Sequence, residues 1–286
     1  MKKNSLFIGT MLLPALAFIV VFVLFPAAYA FYLSLHRSAF LQIKYFAGLQ
    51  HYLNILSDWR FWVDMGNSFV FTIGSVCFSF VCGLLFAGIL NQQFPLRTGF
   101  RVSLILPWVM NQVAFTMLVK WLMNSDFGLI NVMLRNIGLP GIDFFSKKSG
   151  SMISLILTNS WRMAGYAMVF FIAALQTLPK DMLEAAHVDG AGKQKILLYI
   201  TLPYLSPQFL VILVLLTLQN FNILTPVMVL TGGGPGTATE TLGLRMYREA
   251  FIEYALDRSA AYSIVILVIN VILTAFYIRV IKEENR

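Results

Sequence analysis

Charge is what this chain lacks. Of its 286 residues only 12% are Asp, Glu, Lys or Arg, acids number 13, and there are three histidines and two cysteines. His36, His51 and His187 fall in three separate polar stretches, with no His-x-x-x-His pair, no Ser-His-Asp set and no clustered carboxylates. Metal-assisted and acid–base chemistry therefore have no seat, and no catalytic or metal-ligating residue is predicted. Cys77 and Cys82 lie five apart in one apolar segment, do not share a helix face well, and read as small apolar filler. No basic stripe with interleaved aromatics is present, so nucleic acid is not an expected partner. GAGK at 190–193 fails as a phosphate loop. The position five before Gly192 is His187, and Gln194 follows Lys193 where Ser or Thr is needed. The Gly-rich run Thr231–Gly236 fails the same test, so no nucleotide or other cofactor is expected. No carboxylate lies well inside an apolar segment, and no inverted pair of broken segments is visible. A proton- or sodium-coupled carrier commonly needs such features.

Apolar residues fill the space these absences leave. They make up 58% of the chain, with mean hydropathy +0.76, more than a soluble core of this size hides. A spanning helix takes about 20 mostly apolar residues, and six candidates lie near 6–35, 66–91, 101–124, 151–178, 204–230 and 259–281. The fold class is thus all-α integral membrane, read as a single transmembrane domain over 1–286. Lys2, Lys3, an apolar run and Ala28-Tyr29-Ala30 imitate a secretory signal. The run from Leu6 to Phe25 exceeds the usual 7–15 residues, so a retained helix is expected. With the N-terminus inside, the inner segments hold Lys2, Lys3, Arg97, Arg101, Lys180, Lys193, Lys195, Arg279, Lys282 and Arg286. That is about twice the density of the outer loops 36–65, 125–150 and 229–258, which puts both termini in the cytoplasm. Loop 36–65 is rich in aromatics and reads as short interfacial helices; Leu242 to Tyr254 reads as a short amphipathic helix.

The longest inner segment carries the most information. Pro179 stops a helix, and Asp181 with Glu184 three residues later is a helix-start signal. Ala185 and Ala186 leave a surface another protein can approach closely. Gly190 permits a sharp turn, Gly192 adds freedom, and KQKILLYI resumes before Pro203. Polar residues inside the spans are the other clue. Asn159, Arg162 and Tyr166 share one face of the fourth, while Gln219 and Asn222 share a face of the fifth with Asn220 nearby. The third offers Trp108, Asn111, Gln112, Lys120 and Trp121. Amides beside aromatic rings suit sugars, and interhelical packing is the competing use of the same residues.

Glu184-Ala185-Ala186, Gly190, Ile200, Leu202 and Pro203 stand at the spacing of the EAA signature, and the chain resembles the permease subunits of binding-protein-dependent ABC importers. LTGGGPGTATETL at 230–242, FGLIN at 127–131, WRMAGYAM and EYALDRSAAYSIVI resemble the carbohydrate-importing, maltose-type branch. The resemblance implies an ABC importer permease fold, a second similar permease, two cytoplasmic ATPase subunits that bind the EAA loops, and an extracytoplasmic solute-binding protein. It assigns ATPase coupling to Glu184, Ala185, Ala186, Asp189, Gly190 and Gly192. It places solute contacts on Tyr166, at the position of a sugar-contacting tyrosine by its offset from Glu184, and on Gln219, Asn220 and Asn222, with Arg162 beside them. A sugar, oligosaccharide or polyol phosphate is the expected cargo. Another solute class, or a self-sufficient carrier whose loop merely resembles EAA, is the alternative. ATP hydrolysis is expected on the partner, so the chain itself is not an enzyme.

Overall fold

A computed structural model describes residues 2–39 and 42–284; Arg286 of the charge count lies outside them. Helix α1 (Lys2–Ile19) runs through a π-turn at Val20–Leu24 into α2 (Phe25–Ser34). Two strands, β1 (His36–Ala39) and β2 (Gln42–Phe46), precede α3 (Gln50–Ser57) and the long α4 (Trp59–Leu90). Then come α5 (Arg97–Val109), α6 (Gln112–Leu122), α7 (Leu129–Asn136) and α8 (Lys148–Leu175). Short helices α9 (Lys180–Val188) and α10 (Lys193–Ile196) lead through a π-turn at Leu197–Thr201 to α11 (Leu202–Tyr204) and α12 (Ser206–Phe221). A third π-turn, Val227–Thr231, is followed by α13 (Leu242–Phe251) and α14 (Leu256–Glu284).

Four stretches are long and apolar enough to cross a membrane unbroken: Met11–Ser34, Trp59–Leu90, Lys148–Leu175 and Leu256–Val280. Six spans are reached only if each of two bent pairs counts as one. The expected straight span 101–124 is instead α5 and α6, meeting at 102°. Pro107 removes a donor from the end of α5. Met110 turns extended, and the Asn111 side-chain Oδ1 caps the new helix by accepting from Val113 N at 2.9 Å and Ala114 N at 3.2 Å. The expected span 204–230 also breaks. Its helix bends by 68° against the preceding one around Leu205, stops at Phe221, and re-forms only from Thr225. Prolines account for the first two π-turns as well. Pro26 and Pro203 each lie just after one, where the missing N–H and ring bulk push the ladder to i→i+5 bonds, while the third is closed by left-handed Gly232.

The chain folds as two compact units, residues 1–62 with 245–269, and 63–244 with 270–286. In the first, interfacial helices were expected over 36–65. The structure has an antiparallel hairpin pairing His36 with Phe46 and Arg37 with Tyr45, a bulge at Arg37/Ser38, one short helix, and α4 already begun at Trp59. Buried Asp257 gathers this unit: it accepts from Ser38 N at 3.1 Å and lies 3.5 Å from His51 Nε2 and 3.7 Å from Arg37 Nε. Buried Glu249 is paired with Arg245 and Arg258, each at 3.1 Å.

The second unit holds the core. Phe80, Phe171 and Phe209 meet edge to face at 4.9 and 5.3 Å, surrounded by Val76, Met163, Leu205 and Leu216. Close helix approach depends on one missing side chain above others: a Cβ on Gly165 would stand 2.2 Å from the Leu104 carbonyl oxygen. That contact lets the α5 and α8 backbones touch and brings Trp108 over Tyr166.

Candidate functional site

The polar elbow between α8 and α12 is built by its own end-capping. α9 starts after Pro179, with Asp181 in its first turn, and ends in a complete Schellman arrangement. Gly190 N donates to His187 O at 3.1 Å and Ala191 N donates to Ala186 O at 3.0 Å. This closure needs a left-handed residue, and Gly190 supplies it at φ +78°. The chain then reverses into α10. Glu184, Ala185, Asp189, Gly190 and Gly192 are all exposed, as their grouping in the sequence predicts. Ala186 is not: it is buried, facing inward. Sequence reasoning passed over two apolar side chains that the elbow leaves in the open, Val188 at 88% and Tyr199 at 77% exposure. The signal available for them was an apolar residue on the charged side of an amphipathic turn.

The second group lies in the α8–α12 core. Asn159, Arg162 and Tyr166 stand on one face of α8, all buried. The Tyr166 ring is flanked by Trp108 at 5.2 Å and Phe170 at 4.7 Å, and its hydroxyl is hydrogen-bonded to the Gln219 side chain. Gln219 itself is exposed. Asn220, with no exposed surface, accepts from Asn159 Nδ2 and donates to Leu216 O at 2.7 Å, so both of its polar atoms are committed. Arg162 retains 8% exposure, and its Nε meets no acceptor. Asn222 is engaged with α14: its Oδ1 accepts from Asn270 Nδ2 at 2.9 Å. Thr217 and Tyr277 form a second contact of the same kind at 2.9 Å. Asn270 and Tyr277 were not singled out from the sequence, although Asn270 is the lone amide in an apolar run. The structure thus brings Tyr166 to Gln219 and Asn159 to Asn220, and separates Asn222 from both pairs.

Chemically this is an aromatic wall, an exposed amide and one guanidinium, all suited to hydroxyl or anionic groups on a ring-shaped solute. Among the described residues no group of His, Cys, Asp or Glu could hold a metal ion. Lys120 is committed elsewhere, donating to Val229 O at 2.8 Å.

Comparison with known proteins gives a consistent result. Residues 79–282 match the family described as binding-protein-dependent transport system inner membrane component. The sulfoquinovosyl glycerol transport system permease protein SmoG of Agrobacterium fabrum is 31% identical over 281 residues, covering 96% of this chain and 90% of SmoG. The trehalose/maltose transport system permease protein MalF of Thermococcus litoralis is 31% identical over 94% of this chain and 92% of its own. The sn-glycerol-3-phosphate permease protein UgpA of Agrobacterium fabrum is 30% identical over 95% and 93%. In three dimensions, a chain of a bacterial ABC transporter involved in the import of the acidic polysaccharide alginate superposes with TM-score 0.84. The two are 23% identical, and the match covers 98% of this chain and 96% of that one.

Proposed function

Because the chain belongs to the family of binding-protein-dependent transport system inner membrane components, we propose that it lines half of the path for a sugar, an oligosaccharide or a polyol phosphate in an ATP-driven importer. Its whole length acts as one membrane domain in the bacterial or archaeal inner membrane, with both termini and the α9–α10 elbow in the cytoplasm. A second permease completes the path, two ATPase subunits hold the two elbows, and a solute-binding protein delivers the cargo from outside. The permeases to which the chain is similar carry sulfoquinovosyl glycerol, trehalose or maltose, and glycerol 3-phosphate by name, which supports this range of cargo.

The observation that carries the reading is the elbow, a short helix locked by Gly190 with its charged and apolar side chains turned outward. Glu184 offers the ATPase a charged contact, Ala185 permits close approach, and Val188 supplies an apolar knob. Ala186 serves from inside, as the residue that the turn closes over. Hydrolysis takes place on the ATPase subunits; closure there moves α9, and the returning arm transmits the motion to α12. Tyr166, Gln219 and Arg162 meet the solute. Asn220 acts by holding α12 to α8 through Asn159, and Asn222 by holding α12 to α14.

Purification through a tag on this chain tests the assignment. The wild type should bring down an ATPase, and Glu184→Lys or Gly190→Pro should lose it while the second permease stays. If no ATPase accompanies the wild type and the chain alone moves solute without ATP, the importer reading is wrong. Tyr166→Phe should raise the KM for transport and leave ATPase retention intact.

A further inference from the structure

Arg97 and Arg101 open α5 one turn apart, on the turns that carry Phe100 and Leu104. Arginines at the end of a membrane helix ordinarily hold their heads in water. These two are only half-exposed: Nε of Arg97 and both Nε and Nη2 of Arg101 are buried and meet no acceptor, and neither arginine is ion-paired among the described residues. Two guanidinium groups are therefore partly taken out of water without compensation, a costly arrangement that an anion relieves. Within a turn of them on α5 opens an apolar groove of about 380 Å³, lined by Phe86, Ile89, Leu90, Phe94, Phe100, Ser103 and Leu104. Its walls are hydrocarbon almost throughout, so its natural content is an acyl chain. The groove flanks the last turn of α4; Gly88 of that turn and Asn91 just past it line a separate cavity with Leu183 and His187 of α9.

We propose that this is a binding site for an anionic glycerophospholipid, with the phosphate held by Arg97 and Arg101 and one acyl chain laid in the groove. Guanidinium forks match phosphate oxygens in pairs, and charge complementarity selects an anionic headgroup over a zwitterionic one. A lipid seated there braces the end of α4 on which the elbow rests, so occupancy favours the coupled state.

Native mass spectrometry of the transporter retrieved through this chain reads the binding directly, independently of transport. The probes are phosphatidylglycerol, phosphatidylcholine with the same chains, and free glycerol phosphate. Wild type should bind phosphatidylglycerol in preference to the other two. Each cation near an anionic lipid surface contributes about fivefold, so R97Q/R101Q should weaken phosphatidylglycerol about 30-fold and leave phosphatidylcholine unchanged. R97K/R101K should keep most of the affinity. Phe100→Ser, at an exposed groove position outside the core, should weaken the lipid without affecting assembly. Unchanged phosphatidylglycerol binding in R97Q/R101Q overturns the proposal. So does equal affinity for free glycerol phosphate, which would mark a plain phosphate site. Loss of the ATPase from R97Q/R101Q with lipid binding intact overturns it too, assigning the arginines to a protein carboxylate.

Discussion

Gly190 offers the sharpest test, because its replacement isolates one physical quantity. The residue sits at φ +78° in the Schellman closure of α9, and a Cβ placed there meets nothing within 4 Å. Gly190→Ala therefore adds no clash, only the left-handed backbone cost of an L-residue, about 1–2 kcal/mol. At about 1.4 kcal/mol per decade, that lowers the population of the closed elbow about 5- to 30-fold relative to its open forms. Asn tolerates this region and should fall between Gly and Ala, and the β-branched Gly190→Val should be worse than Ala. Gly192 provides the control. It is equally open but lies outside the positive-φ set, so Gly192→Ala should be close to silent. The assay is solute uptake in proteoliposomes containing the assembled transporter, together with the ATPase retained on purification. The expected order of coupling is Gly, Asn, Ala, Val at 190, with overall stability little changed. If Gly190→Val couples as well as wild type, or if Gly192→Ala is equally harmful, the elbow does not act through this closure.

Other outcomes follow from the same structure. Gly165→Ala should lower the melting temperature of the detergent-solubilised protein, since its methyl group would stand 2.2 Å from the Leu104 carbonyl oxygen and such overpacking costs about 1–3 kcal/mol. Asn159→Leu or Asn220→Leu alone should destabilise by about 1–3 kcal/mol by orphaning a buried amide, with the double variant recovering part of the loss. Additive losses in that cycle would show that the two amides do not cooperate. Burial raises the Glu249 carboxyl above its ordinary 4.5, with Glu253 acting in the same direction and Arg258 and Arg245 opposing. The folded state then binds this proton more tightly than the unfolded chain. Its contribution to stability is complete below about pH 4.5 and is lost as pH rises through the raised folded value. Thermal unfolding followed from pH 4.5 to 8 should show this decline in wild type and a shallower one in Glu249→Gln; identical slopes would count against it.

The elbow was readable in sequence because each of its parts is a local device. Pro179, Asp181 and Gly190 fix where α9 starts and how it ends within a dozen residues, and no distant contact is needed to decide either. The polar residues of α8 and α12 were readable only as candidates. That Gln219 meets Tyr166 while Asn220 disappears against Asn159 depends on how two helices rotate against each other, and that rotation is set by close contacts such as Gly165 on the Leu104 carbonyl. The hairpin after α2 was missed because four- and five-residue strands rich in polar residues carry little periodic signal. The breaks in the third and fifth expected spans were missed because hydropathy counts apolar length and does not register direction. Pro107, Asn111 and Pro226 were visible throughout, but a proline marks where a helix can bend, not by how much.

By itself, then, the sequence determined the solvent and the handle. An apolar content of 58% with 12% charge demands a bilayer, since no core of this size could bury that surface, and the spacing from Glu184 to Pro203 resembles the signature of the family to which the chain belongs. Tertiary structure alone decided which polar groups remain free. Asn220 and Asn222 are used up in holding helices together, Arg162 and Tyr166 are brought to one wall with Trp108, and Arg97 and Arg101 are left with buried nitrogens and no partner. The physical reason is the same throughout. Hydrophobicity and helix caps act over a few residues and are written in the chain, whereas hydrogen-bond satisfaction inside a membrane protein is a property of pairs that only packing brings together.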